Sequence, residues 1–227
     1  MKQDENVMRS KKRGRRAKAV NEITETTKLK ILMEAKRLFG QKGFDRTGMA
    51  EIAEAADVDK ALLFYYFKSK NNLLKAVFEH FTSEAVFERT RKNREDPPRI
   101  TVKAMEDFFM IIMKLVENNS DTVNILLAEA FKGSSENPYL FEFIRMVTGN
   151  LPELSRQYDL DQEQIRRLST TLVFLDILPI LLFTALSQKW SLYSGVEMEK
   201  VKNDFIITFK EMVINHLYDN YFSEKEV

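Results

Sequence analysis

The residues with the most chemistry to offer lie between Thr47 and Lys70, in the run TGMAEIAEAADVDKALLFYYFKSK. Four aromatics in a row, Phe64-Tyr65-Tyr66-Phe67, stand between Lys60 and Lys70. Lysine donates to guanine O6 or N7, while Ala61, Leu62 and Phe64 offer apolar contact to thymine methyls. A helix from Lys60 to Phe67 has only about two turns, so its rings point all round the cylinder. A core needs one face of that ring, and Leu63 and Phe67, at i and i+4, supply it. The remaining rings must meet something outside the fold. A helix-turn-helix seated in a DNA major groove provides that surface.

The elements that position these side chains follow from local sequence. Asp59 is placed to cap the reading helix, and Asp57-Val58-Asp59 makes a turn with Val58 as an apolar plug. Before it, residues 48–55 read as a short helix with Thr47 at the N-cap. Ile52, Ala53 and Ala56 give that helix a narrow apolar stripe, small enough for close packing. A supporting helix spans 28–41, with Ile31, Ala35, Leu38 and Phe39 on one face. Gly43 stops it in a left-handed conformation and Phe44 folds back as the accompanying apolar contact.

This segment resembles the DNA-binding head of the tetracycline-repressor (TetR) family of bacterial regulators. The matching positions are Thr47, Ile52-Ala53, Ala56, Val58, Leu63, Tyr66-Phe67, Ser69-Lys70 and Leu73, together with the Leu38-Phe39…Gly43-Phe44 end of the first helix. Asp57 and Ala61 stand where the family has glycine, Asp59 where it has serine, and Phe64 where it has tyrosine. Aspartate tolerates turn geometry and caps as well as serine. Phe64 has no hydroxyl, so a polar contact usual in the family is lost and the operator sequence does not carry over. The resemblance implies base-edge contacts from Lys60, Ala61, Leu62, Phe64 and Tyr65, phosphate contacts from Tyr66 and Lys70, and a hydroxyl contact from Thr47. Lys70 opens the next helix, where its charge adds to the positive helix end.

Composition sets the outer bounds. The 227 residues are 44% hydrophobic and 30% charged, in the range of globular proteins, and contain no cysteine. That rules out a disulfide framework and thiolate chemistry, and suits a cytoplasmic location. The polar, basic opening does not resemble a secretory signal. The net charge of +1 hides an asymmetry: residues 1–18 hold eight Lys/Arg and two Asp/Glu, net +6, which leaves −5 beyond them. The run 9–18 has Ala17 as its sole apolar residue, and the arm, 1–22, is expected to be disordered in the free protein. A solvated tail is the commoner fate of such a run. Next to a DNA-binding motif, a DNA-tracking arm is favoured, with Arg13 and Arg15 flanking a slim Gly14 and Arg16 following.

Beyond the head (23–69), a linker helix runs through 70–96 and stops at Pro97-Pro98; a second helical domain covers 97–227. Its helices are expected at 101–118, 121–132, from Asn137-Pro138 to Gly149 with a break near Pro152, and then 161–189 and 197–221. The run 172–186 is apolar but contains Asp176 and Pro179, and is too short to span a bilayer. The family resemblance implies a ligand cavity within the middle helices, a homodimer through the last two, and a linker helix whose tilt reports ligand occupancy. Candidate lining residues are Phe108, Phe109, Ile112, Met113, Leu126, Phe141 and Phe174, although such stripes are most often plain core. Glu129 and Asp176 sit in apolar surroundings and require partners. Arg145, Arg166 or the other subunit would serve; otherwise the carboxylates anchor a cationic or hydrogen-bonding ligand.

Catalysis has little footing. The two histidines, His80 and His216, are far apart, and neither metal-ligand spacing nor a glycine-rich phosphate loop occurs. No cofactor or metal is expected. The sequence therefore reads as an all-α chain, a three-helix helix-turn-helix head plus a larger ligand-binding and dimerisation domain. Its expected partners are a double-stranded palindromic operator and a small apolar effector, cationic in one variant, with no membrane. The rival reading is a ligand-independent DNA-organising or adaptor protein with a solid second domain.

Overall fold

The structure is a computed structural model that describes residues 24–92, 100–132, 139–149 and 151–223, the side chains of 84–92 excepted. The basic arm with Arg13, Arg15 and Arg16, the Pro97-Pro98 stop and the Asn137-Pro138 helix start lie outside the described residues. Among the described residues every regular element is helical. The chain divides into two compact units, Met1–Val77 and Phe78–Val227, with the boundary inside one continuous helix.

In the first unit, α1 (24–42), α2 (Met49–Ala55), α3 (Lys60–Phe67) and the opening turns of α4 (Lys70–Lys92) enclose a small core. Ile31, Ala35, Leu38 and Phe39 of α1 meet Ile52, Ala53, Ala56, Leu63, Phe67, Leu73, Leu74 and Val77 there, all buried. Gly43 ends α1 at φ +84°, its N–H donating to Phe39 O at 2.9 Å. The Phe44 ring then returns to 5.2 Å from that of Phe39, the contact such a stop favours.

Thr47 does not cap α2. Gly48 occupies the N-cap, and the Thr47 hydroxyl lies within hydrogen-bond reach of Leu38 O (3.2 Å) and Gly43 O (2.9 Å), with 1% of the residue exposed. A threonine beside a helix start can bond outward to the next turn or inward to the preceding helix end. Here the Leu38 and Gly43 carbonyls lie within reach, and the hydroxyl turns inward to them. Lys42 pairs with Glu51 in the first turn of α2, and this hydrogen bond holds the Glu51 carboxyl below its ordinary pKa.

The second unit comprises the rest of α4 with α5 (Val102–Asn118), α6 (Ser120–Phe131), α7 (Tyr139–Thr148), α8 (Leu151–Gln157), α9 (Gln162–Ser194) and α10 (198–222). α8 is an element the expected break at Pro152 had excluded. Pro152 sits at its second position, where the missing N–H would have no partner within the helix anyway. α6 is the central element, burying Val123, Ile125, Leu126, Leu127 and Glu129. Phe81 of α4 stacks on Phe143 of α7 with centroids 4.8 Å apart, and Phe78 packs at a tilt on Tyr139 at 4.2 Å. Phe109 of α5 stacks on Phe209 of α10 at 4.4 Å, and Phe205 of α10 on Phe183 of α9 at 4.1 Å.

α9 ends at Ser194, one turn or so beyond the expected residue 189. A π-helical segment, Leu172–Ile177, precedes Pro179. The wider π turn lets the helix run through a proline that would otherwise break its bonding ladder. The resulting 33-residue helix is long and apolar enough to cross a membrane by length and composition, so the shortness expected of this run does not hold. Its Ile177, Ile180, Leu181 and Ser187 are nevertheless buried within the unit, while Phe174, Leu175, Leu182, Leu186 and Trp190 form an exposed apolar stripe.

Candidate nucleic-acid interface

The reading helix is built as a two-faced cylinder. Asp59 Oδ1 accepts the Ala61 N–H at 2.6 Å, capping α3. Leu63 (0% exposed) and Phe67 (9%) anchor its inner face in the core. On the outer face Lys60, Ala61, Phe64 and Tyr65 are exposed, Tyr65 at 69%. Two lysines lie over these rings: Lys60 Nζ is 5.9 Å from the Phe64 centroid, and Lys68 Nζ is 5.6 Å from that of Tyr65. Positive charge and aromatic surface are thus interleaved on one exposed face, as a groove of phosphates, base edges and methyls requires.

The other sequence-derived positions are distributed less simply. Leu62 and Tyr66 are half-buried, and Lys28 of α1 lies 5.6 Å over the Tyr66 ring. Thr47 is buried with its hydroxyl turned inward. The Lys70 ammonium donates to Asp45 O at 3.2 Å and sits 4.4 Å from the Phe44 centroid. It therefore ties the start of α4 to the α1–α2 loop. Ser69 caps α4 through its hydroxyl, which accepts the Asn72 N–H at 3.1 Å.

Lys68 joins this outer face without any signal in the sequence. It has φ +63° and ψ −46°, and the Ser69 N–H donates across it to Phe67 O at 2.6 Å, a γ-turn that brings α3 to an abrupt end. Only its place among the lysines at this end of α3 could have drawn attention to it. The turn at Asp57 is also left-handed, φ +51°, which explains why glycine or an Asx residue belongs there.

In the second unit the candidate ligand residues are not all alike. Phe109, Ile112, Met113, Leu126 and Glu129 are buried; Phe108 and Asp176 are half-buried; Phe141, Arg145 and Phe174 are exposed. Glu129 finds its cation in Lys132, one turn along α6, at 2.7 Å, and not in Arg145. Asp176 lies in the π segment of α9, and desolvation by its apolar neighbours pushes its carboxyl up to about 7. The Thr122 hydroxyl of α6 is buried without a hydrogen-bond partner among the described residues. No three His, Asp or Glu of the described residues are grouped to hold a metal ion.

The sequence profile of the bacterial regulatory proteins, tetR family, matches residues 31–77, the stretch that builds this helix-turn-helix. Residues 31–77 thus form a DNA-binding head of the TetR type. The chain is 49% identical over 59 residues to a Bacillus subtilis (strain 168) protein named Probable HTH-type transcriptional regulator YttP. That alignment covers 26% of this chain and 27% of the relative. The biofilm operon icaADBC HTH-type negative transcriptional regulator IcaR of Staphylococcus aureus (strain Newman) is 31% identical over 68 residues, 28% of this chain and 37% of its own. The likeness to these curated relatives thus spans well under half their length. Solved TetR-like folds extend further. Salmonella enterica GusR superposes with a TM-score of 0.61 over 86% of this chain and 95% of its own, at 16% identity. Streptomyces coelicolor CprB, solved with its operator sequence, gives 0.51 over 86% and 98%, at 19% identity. At such identities the likeness is one of fold: a helix-turn-helix head followed by a larger helical domain.

Proposed function

We propose that this protein is a transcriptional regulator of TetR type that binds a palindromic operator as a homodimer and is released by a small apolar effector. The observation that carries the reading is the outer face of α3, where the Lys60–Phe64 and Lys68–Tyr65 pairs stand exposed on a helix anchored by Leu63 and Phe67. A two-turn helix with its apolar face already buried has no internal need for two further exposed rings. The duplex major groove is the surface that uses them.

The exposed stripe of α9, from Phe174 to Trp190, supports pairing with a second copy, which would set two reading helices on one face of a duplex. Repression is supported by the partial likeness to IcaR, a negative regulator. In the second unit, Asp176 and the fully buried Thr122 hydroxyl are the polar groups left over for an effector to satisfy. The Glu129–Lys132 pair is self-sufficient, so Glu129 is not proposed as an anchor. An effector shifts the dimer only insofar as it binds one geometry more tightly. The basic arm of residues 1–18, with Arg13, Arg15 and Arg16, adds phosphate and minor-groove contacts.

The test is selection of duplexes from a randomised library by the purified full chain, with and without small-molecule cell extract. Enrichment of an inverted repeat that the extract releases supports the proposal. Binding of all duplexes about equally, with no response to extract, supports the ligand-independent DNA-organising alternative instead.

A further inference from the structure

The end of the reading helix is unusual for the residue placed there. Lys68 occupies φ +63°, ψ −46°, a conformation that glycine adopts freely and other residues rarely. Its own N–H still closes the helix on Phe64 O at 2.9 Å, and the Ser69 N–H then folds straight back onto Phe67 O at 2.6 Å. Because the γ-turn ends the helix here, the Lys68 side chain does not follow α4. Its ammonium lies 5.6 Å from the centre of the Tyr65 ring, three residues back on the outer face. Tyr65 in turn is set edge-on to Tyr66, with centroids 5.4 Å apart. The most exposed ring of the reading helix is therefore held on two sides, by a cation and by a neighbouring ring.

We propose that Lys68 is a positioning residue for DNA recognition: it fixes the attitude of the Tyr65 ring, so that its contribution falls on sequence discrimination more than on general attraction to DNA. The inference rests on the DNA-binding reading above. A lysine whose only task was to attract phosphate would work from any exposed site near the helix end and would not need this backbone conformation. A ring contact from this side needs the backbone reversed just here.

Glycine fits the γ-turn without strain, so Lys68→Gly removes the side chain while leaving the turn intact. The probe is the duplex most enriched by the wild-type full chain from a randomised library, compared with a scrambled duplex of the same composition. Dissociation constants for both are measured over a range of salt in wild type, Lys68→Gly, Lys68→Arg, Tyr65→Leu and the Lys68→Gly/Tyr65→Leu double variant. A cation–π contact at an exposed site predicts that Lys68→Gly lowers the scrambled-to-selected ratio roughly two- to fivefold. Lys68→Arg should keep the ratio, since arginine stacks on aromatic rings as well. In the Tyr65→Leu background the further change to Lys68→Gly should leave the ratio unaltered. Equal losses on both duplexes and in both backgrounds, with the salt slope shallower by about one phosphate contact, would make Lys68 a simple phosphate contact and overturn the proposal. If the wild-type chain enriches no duplex at all, the DNA-binding reading fails first and takes this inference with it.

Discussion

The ammonium of Lys70 lies 4.4 Å from the centre of the Phe44 ring and donates to the neighbouring Asp45 carbonyl at 3.2 Å. The first residue of α4 is thereby fastened to the loop between α1 and α2, across 25 residues of sequence. Lys70→Met keeps the apolar stem and loses both interactions. It is expected to weaken the head locally by about 1–2 kcal/mol. Amide hydrogen exchange of residues 43–47 should rise in this variant, whereas exchange in α10 should not.

Asp59 holds the start of the reading helix through the Ala61 N–H at 2.6 Å. Asp59→Ala should cost about 1 kcal/mol of helix stability, and Asp59→Ser should restore most of it. Circular dichroism melts of the full chain, read beside DNA affinity, check this. The affinity loss should follow the cap and not the charge, so the serine variant should bind DNA nearly as well as wild type.

These head features were largely legible in the sequence, because local rules govern them. Asp59 announced the N-cap of α3, and the spacing of Leu63 and Phe67 announced its buried face. Gly43 and Phe44 announced the stop of α1. The failures have equally particular causes. A threonine hydroxyl serves as a cap or as an internal donor, and only the position of the Leu38 and Gly43 carbonyls decides for Thr47. Lysine carries no turn signal, so the γ-turn at Lys68 and its reach back to Tyr65 were invisible. Pro152 reads as a breaker unless it is known to fall in a first helical turn. For Glu129 the partner is local: Lys132, three residues on at the C-cap of α6, reaches it where the more distant Arg145 does not. The π segment of α9 has no residue signature that period counting detects.

Asp176 yields a prediction about pH. Burial raises its carboxyl from 3.8 to about 7, so between those values the folded protein keeps a proton that the unfolded chain has released. Stability from this group is therefore full below about pH 4 and declines as pH rises towards 7. Asp176→Asn, which never ionises, should remove that part of the slope and melt higher than wild type above about pH 7. Thermal melts across this range decide the matter. Parallel pH profiles for the two proteins would show that Asp176 ionises normally.

The basic arm should act through counterion release. Residues 9–18 hold seven Lys/Arg and no Asp/Glu. Deleting residues 1–18 should flatten the dependence of log K on log salt by about 0.9 for each phosphate the arm neutralises. An unchanged slope would leave the arm a solvated tail. The melting of α1 to α4 should be unaffected by the deletion.

The most direct measurement is the affinity of a Phe64→Ala/Tyr65→Ala variant for the duplex that the wild-type chain enriches most. Both residues are exposed, at 38% and 69%, so the variant should melt within about 0.5 kcal/mol of wild type. With base-edge contacts worth about 1–3 kcal/mol each, binding to that duplex should fall on the order of 100-fold, and binding to a scrambled duplex far less. A variant that folds as well as wild type and binds the enriched duplex as tightly would contradict the account, because the outer face of α3 would then not be the surface that reads DNA.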